Sequence, residues 1–109
     1  MPVTFALWEG ELWTVVDGKP KGVPPDRLAR VRFLRRRPAA ALTVDRYSED
    51  WNRLAWVQTL GDVRILDVEE ARGPLGALAA KYQPYRFSPP PGPLLGLAPR
   101  RIISWRAAP

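Results

Sequence analysis

Chain breakers, rather than any long periodic pattern, limit what this chain can fold into. Thirteen of its 109 residues are proline and eight are glycine. Proline removes a backbone donor and ends helices, and glycine adopts the angles of tight turns. Cut at these points, the chain reads in order. Residues 3–8 (VTFALW) and 12–17 (LWTVVD) are short apolar runs around Glu9-Gly10-Glu11, which predicts a hairpin. Asp17-Gly18 ends the second run. Pro24-Pro25-Asp26 opens a helix, because proline suits a first turn and an acid there complements the dipole. Leu28, Val31 and Leu34 form its apolar stripe, widened by Ala29 and Phe33. Arg35-Arg36-Arg37 fills the last turn and Pro38 stops it. Strands are expected over 40–47 and 53–60, the second turning at Gly61-Asp62 into 63–68. A second helix is expected over 74–82, with Leu75, Leu78 and Ala79 inward and Pro84 at its end. SPPPGP (88–93) is a stiff connector. Short final strands over 94–98 and 102–105 are parted by Pro99.

This order does not alternate strand and helix, so it is no parallel βαβ array. It predicts a mainly β fold: an antiparallel sheet or barrel whose openings are plugged by two short helices. The length allows a single domain over residues 1–109. A chain of this size buries roughly two-thirds of its unfolded surface, enough for one modest core. No apolar run approaches the ~18 residues of a membrane span, and the first residues lack the basic and long apolar parts of a signal peptide. A cytoplasmic location with no membrane partner is the expectation.

Charge is concentrated. Residues 19–39 hold eight of the seventeen Lys and Arg and one acid, Asp26, giving this segment +7 in a chain of net +6. Three uses compete for it. A solvated arginine face needs nothing further. A nucleic-acid interface wants base-reading groups or exposed aromatics, and Phe33 is the one aromatic in the segment; no helix-turn-helix, zinc-finger or RNP pattern accompanies it. An anion site fits the spacing more closely. Lys19 and Lys21 follow a strand end, a helix N-terminus comes next, and Arg27 and Arg30 are three apart on one helix face.

A second cluster is aromatic. Tyr47, Trp51 and Trp56 lie within ten residues of each other, accompanied by Arg46 and Arg53. Such residues pack cores and interfaces, but a polar Ser48-Glu49-Asp50 loop between them is also a plausible wall for a flat ring. The acids Asp45, Glu49 and Asp50 read as surface loop acids. The chain has no His and no Cys. That removes a Ser-His-Asp triad, thiolate and imidazole metal sites, disulfides and cysteine nucleophiles. No catalytic or metal-binding residue is assigned, and enzymatic chemistry, if any, would come from carboxylates or a cofactor.

Four stretches, VDGKPK (16–21), RLARV (27–31), VDRYSEDWNRLAWV (44–57) and KYQPYR (81–86), stand in an order that resembles the pyridoxamine 5′-phosphate oxidase-like split-barrel flavoproteins, above all the deazaflavin (coenzyme F-420) subgroup. PPPGP and a strand ending in Trp105 follow, as in that subgroup. The resemblance implies an antiparallel split β-barrel, usually six-stranded and homodimeric, binding FMN or deazaflavin at the dimer interface. It implies an oxidoreductase working by hydride transfer on an unknown small-molecule substrate. It places Lys19, Lys21, Arg27 and Arg30 at the cofactor phosphate, and Trp51 and Arg53 near the cofactor or partner subunit. Members carry a helix and a strand ahead of the segment matching MPVTFAL, so this chain reads as a shortened version with an exposed edge over residues 3–8. Relatives commonly have Asn-Ile where this chain has Phe33-Leu34. Two alternatives stand beside this reading: a shortened split-barrel dimer without redox cofactor, and a basic nucleic-acid-binding module.

Overall fold

The computed structural model describes residues 3–16 and 28–107. In chain order these form β1 (Ala6–Trp8), β2 (Glu11–Val15), α1 (Ala29–Arg36), β3 (Ala39–Arg46), a 3-10 turn (Trp51–Arg53), β4 (Ala55–Leu66), α2 (Arg72–Lys81), α3 (Pro84–Phe87) and β5 (Leu94–Arg106). The five strands make one sheet in the order β1-β2-β5-β4-β3, antiparallel at every step and not closed on itself. The mainly β, antiparallel expectation therefore holds, with one more short helix than foreseen. The predicted helix opening at Pro24-Pro25-Asp26 and the strand end at Asp17-Gly18 lie outside the described residues.

The first hairpin forms as its sequence asks. Trp8 pairs with Glu11, and Glu9 (φ 47°) and Gly10 (φ 80°) make a two-residue turn with both angles positive. That turn matches the twist of the flanking strands. Two other expected breaks are absent. β4 runs straight through Gly61-Asp62, and β5 runs straight through Pro99. Both breakers belong to one irregularity. Leu60 pairs with Arg101 and Gly61 with Pro99, leaving Arg100 as the extra residue of a bulge. Proline is tolerated at such a point because the ladder needs no donor from it. Gly61 is there because a Cβ would run into the Ala98 carbonyl. Arg100 turns back to Asp62 at 3.3 Å. What reads as two turns separating four strands is one bulge joining two long ones.

Residues opposite each other in register share a face. One face carries Ala6, Trp13, Val15 and Leu94, and α2 lays Leu78 across it, with Ala71 just before the helix. Leu66, Leu75, Tyr82 and Tyr85 pack around this cluster. Trp13 is 1% exposed and lies against Gly96, its partner on β5. On the far side of Gly96, Arg64 places its guanidinium 5.2 Å from the Trp13 ring and binds Glu11 through two nitrogens at 2.8 and 3.2 Å. A side chain on Gly96 would displace the ring. Leu95 and Leu97 alternate to the opposite face and are also buried.

α2 begins at Arg72, two residues before Pro74, and Pro84 ends it by opening α3. Three contacts tie the start of the chain to these helices. Phe5 N–H donates to the Tyr82 hydroxyl at 3.1 Å, the Thr4 and Tyr85 hydroxyls are 2.8 Å apart, and Lys81 Nζ donates to the Phe5 carbonyl at 2.8 Å. The same ammonium sits 3.8 Å over the Phe5 ring. In α1, Val31 is fully buried as the stripe predicts, but Phe33 is 60% exposed rather than packed. No described helix is long and apolar enough to cross a membrane.

Candidate functional site: the turn between β3 and β4

β3 and β4 are joined by residues 47–54, and here the chain builds a firm turn around an exposed ring. The Ser48 hydroxyl accepts from Asp50 N–H at 3.2 Å. Asp50 Oδ1 accepts from Asn52 N–H at 3.1 Å, which caps the 3-10 turn. Arg53 N–H returns to the Asp50 carbonyl at 2.9 Å. Arg46 Nε donates to the Arg53 carbonyl at 3.0 Å, so a strand side chain clamps the turn's far end. The result presents Trp51 at 74% exposure on a backbone held by four bonds. Tyr47, 75% exposed, stands at the start of the same connection. The Ser48-Glu49-Asp50 acids thus have a visible task in Asp50, which shapes the turn.

Trp51 and Arg53 are therefore brought together, two residues apart on one turn. Arg30 lies elsewhere, on α1, next to the buried Val31 and half-buried itself. Lys19, Lys21 and Arg27 lie outside the described residues, so the structure leaves the proposed grouping of the four cations where the sequence put it. α1 packs on β4, and the Val63 N–H donates to the Pro38 carbonyl at 2.8 Å, so the helix exit is tied to the middle of the sheet.

Sequence reading missed the surface beside the turn. β3, β4 and the second half of β5 extend past α2, which packs on β1 and β2. On one face Val44, Val57 and Ser104 line up in register, followed by Leu42, Thr59 and Ile102. Val44 and Val57 are each 42% exposed and Ile102 64%. On the other face Trp56 stands directly opposite Trp105. The signal was present in strand alternation, but the false break at Pro99 hid the register that joins Trp105 to Trp56. Among the described residues, no cluster of three or more carboxylates is placed to hold a metal ion.

No protein-family model matches this chain, and no curated protein matches its sequence. Similarity appears in three dimensions. A conserved hypothetical protein, Rv2991 from Mycobacterium tuberculosis, aligns with a TM-score of 0.66 at 18% identity over 94% of this chain and 64% of its own. A heme-binding protein from Mycobacterium smegmatis aligns with a TM-score of 0.67 at 17% identity, over 95% of this chain and 45% of its own. The chain spans less than two-thirds of the length of either. At such identities the likeness speaks for architecture: the chain has a split-barrel-like fold, mainly β, with its antiparallel sheet left open.

Proposed function

We propose that this chain binds a planar cofactor with an anionic arm, FMN or the deazaflavin coenzyme F-420, and acts as an oxidoreductase of the pyridoxamine 5′-phosphate oxidase-like class. The observation that carries the reading is Trp51: an indole held by its backbone and left open, on a split-barrel-like fold. A flat ring stacks on such a surface without cost of ordering. Lys19, Lys21, Arg27 and Arg30 would grip the phosphate, where guanidinium and ammonium groups bind strongly. Arg53 would lie beside the ring. The bound cofactor would supply hydride transfer, which asks the protein for orientation and charge and explains how a chain without His or Cys does redox chemistry.

The heme-binding neighbour favours a second reading, because a tetrapyrrole is also flat and carries carboxylates. This chain has no His and no Cys to serve as axial ligands, so the flavin-type ring fits its residues better. A homodimer belongs to the proposal. β3 is an eight-residue edge strand, and the apolar rows beside it would be covered by a second copy.

Titration of the purified protein with FMN, deazaflavin and hemin, read by absorbance and fluorescence, tests the reading. One of the first two should bind, and Lys21→Ala should weaken it by about 1.5–3 kcal/mol, as for a charged hydrogen bond. Binding of hemin alone would favour the tetrapyrrole reading. Binding of none would leave the cofactor-free dimer or the nucleic-acid module.

A further inference from the structure

The outer side of α2 carries a groove that the proposed cofactor does not use. It has a volume of about 490 Å³, within the usual range for small-molecule sites. Leu75, Gly76 and Ala79 form its floor, Tyr85 one wall, and the Pro89-Pro90 segment the other. Arg72, Leu75, Gly76 and Ala79 follow the i, i+3, i+4, i+7 spacing, so the floor is a straight stripe roughly 10 Å long at 1.5 Å per residue.

Two features mark it as more than a gap between helices. The first is Gly76. Glycine inside a helix costs about 0.5–1 kcal/mol relative to alanine, and here no neighbour asks for it: an added Cβ would meet nothing within 4 Å. Gly73, one turn earlier, differs, because a Cβ there would strike the Trp8 ring. Gly76 leaves the stripe open and serves no packing. The second is Arg86. Its Nε and Nη2 donate to the Ala79 and Ala80 carbonyls at 2.8 and 2.7 Å, so a guanidinium is fixed at one end of an apolar floor. At the other end Arg72 is accompanied by Glu69, which offsets its charge. The uncompensated cation lies at the Arg86 end.

We propose that this groove binds an amphiphilic carboxylate: an apolar chain along Leu75, Gly76 and Ala79, with its anionic head at Arg86. The complementarity is of charge and of shape. A neutral alcohol of the same chain would lose the head contact, and a cationic amphiphile would meet Arg86 as a like charge.

Calorimetric titration with decanoate, together with amide chemical shifts, tests this on the full chain. Decanoate should bind one-to-one, shift the Leu75, Gly76 and Ala79 amides, and bind at least about tenfold more tightly than decanol or decyltrimethylammonium. Gly76→Phe fills the stripe and should lower decanoate affinity by at least about tenfold while leaving the melting temperature equal or higher. FMN and deazaflavin titrations of the same variant should be unchanged, which separates this groove from the cofactor reading. Equal decanoate affinity in Gly76→Phe, binding only in the millimolar range, or equal binding of the cationic amphiphile overturns the proposal.

Discussion

Two glycines of this chain should respond to the same substitution with opposite signs. In Gly61→Ala the new methyl would meet the Ala98 carbonyl oxygen, the Ala98 carbonyl carbon at 2.8 Å and the Pro99 Cα at 3.3 Å. All three are backbone atoms, so no side chain can swing aside. Relief requires β4 and β5 to part at the bulge, and β4 pairs with β5 along its whole length. Overpacking that side chains can absorb costs about 1–3 kcal/mol, and a backbone obstacle belongs at or above that limit, near 3 kcal/mol. For a domain of this size each kcal/mol moves the melting temperature by about 4–8 °C, so Gly61→Ala should lose roughly 12–24 °C. In Gly76→Ala the methyl meets open space within a helix, and the gain of about 0.5–1 kcal/mol should raise the midpoint by a few degrees. Thermal unfolding followed by circular dichroism measures both. A Gly61→Ala midpoint within about 2 °C of wild type, a shift worth under 0.5 kcal/mol, would refute the close approach at the bulge.

Adding the bound cofactor should quench tryptophan emission in wild type and less so in Trp51→Phe; equal quenching in both places the ring elsewhere. Lys81→Met removes the ammonium from the Phe5 carbonyl and ring, and denaturant unfolding should show a loss of about 1–2 kcal/mol, since both contacts are exposed; no loss would mean the start of the chain is held by Tyr82 and Tyr85 alone. Light scattering at micromolar protein should give a dimer mass, and Ile102→Glu should shift it to monomer with little change in secondary structure; a wild-type monomer would remove the second copy from the proposed site.

Legibility in the sequence followed the range of the interactions. Glu9-Gly10 is a local signal: two residues with positive φ between apolar runs make a hairpin wherever they occur. The stripe through Leu28, Val31 and Leu34 was read correctly at Val31, which is fully buried. Phe33 was not, because whether a stripe's margin is covered depends on what lies against it. Gly61 and Pro99 failed for a related reason. Each is a breaker by itself, yet thirty-eight positions apart in the chain they face each other, and only that pairing converts two breaks into a bulge. The site divides the same way. Asp50 as a cap and Ser48 as its support are close in sequence and could have been read from it; the clamp from Arg46 to the Arg53 carbonyl requires β3 to sit beside β4.

The bulge also explains why the β3–β4 turn stands where it does. Register fixes the end of β5 against the start of β4: Arg106 faces Ala55, and the Ala107 N–H donates to the Leu54 carbonyl at 2.9 Å. Without the extra residue at Arg100, every pair from Leu60 to Ala55 would slip by one. Side chains alternate across a strand, so a one-residue slip would send Trp105 to the face now held by Val57. Trp56 would then lose its partner, and the turn carrying Trp51 would lose the strand end that fixes Leu54. Gly61, remote from the turn, therefore determines which residues surround it. A glycine required by one close approach sets the geometry of the surface on which the proposed cofactor would rest.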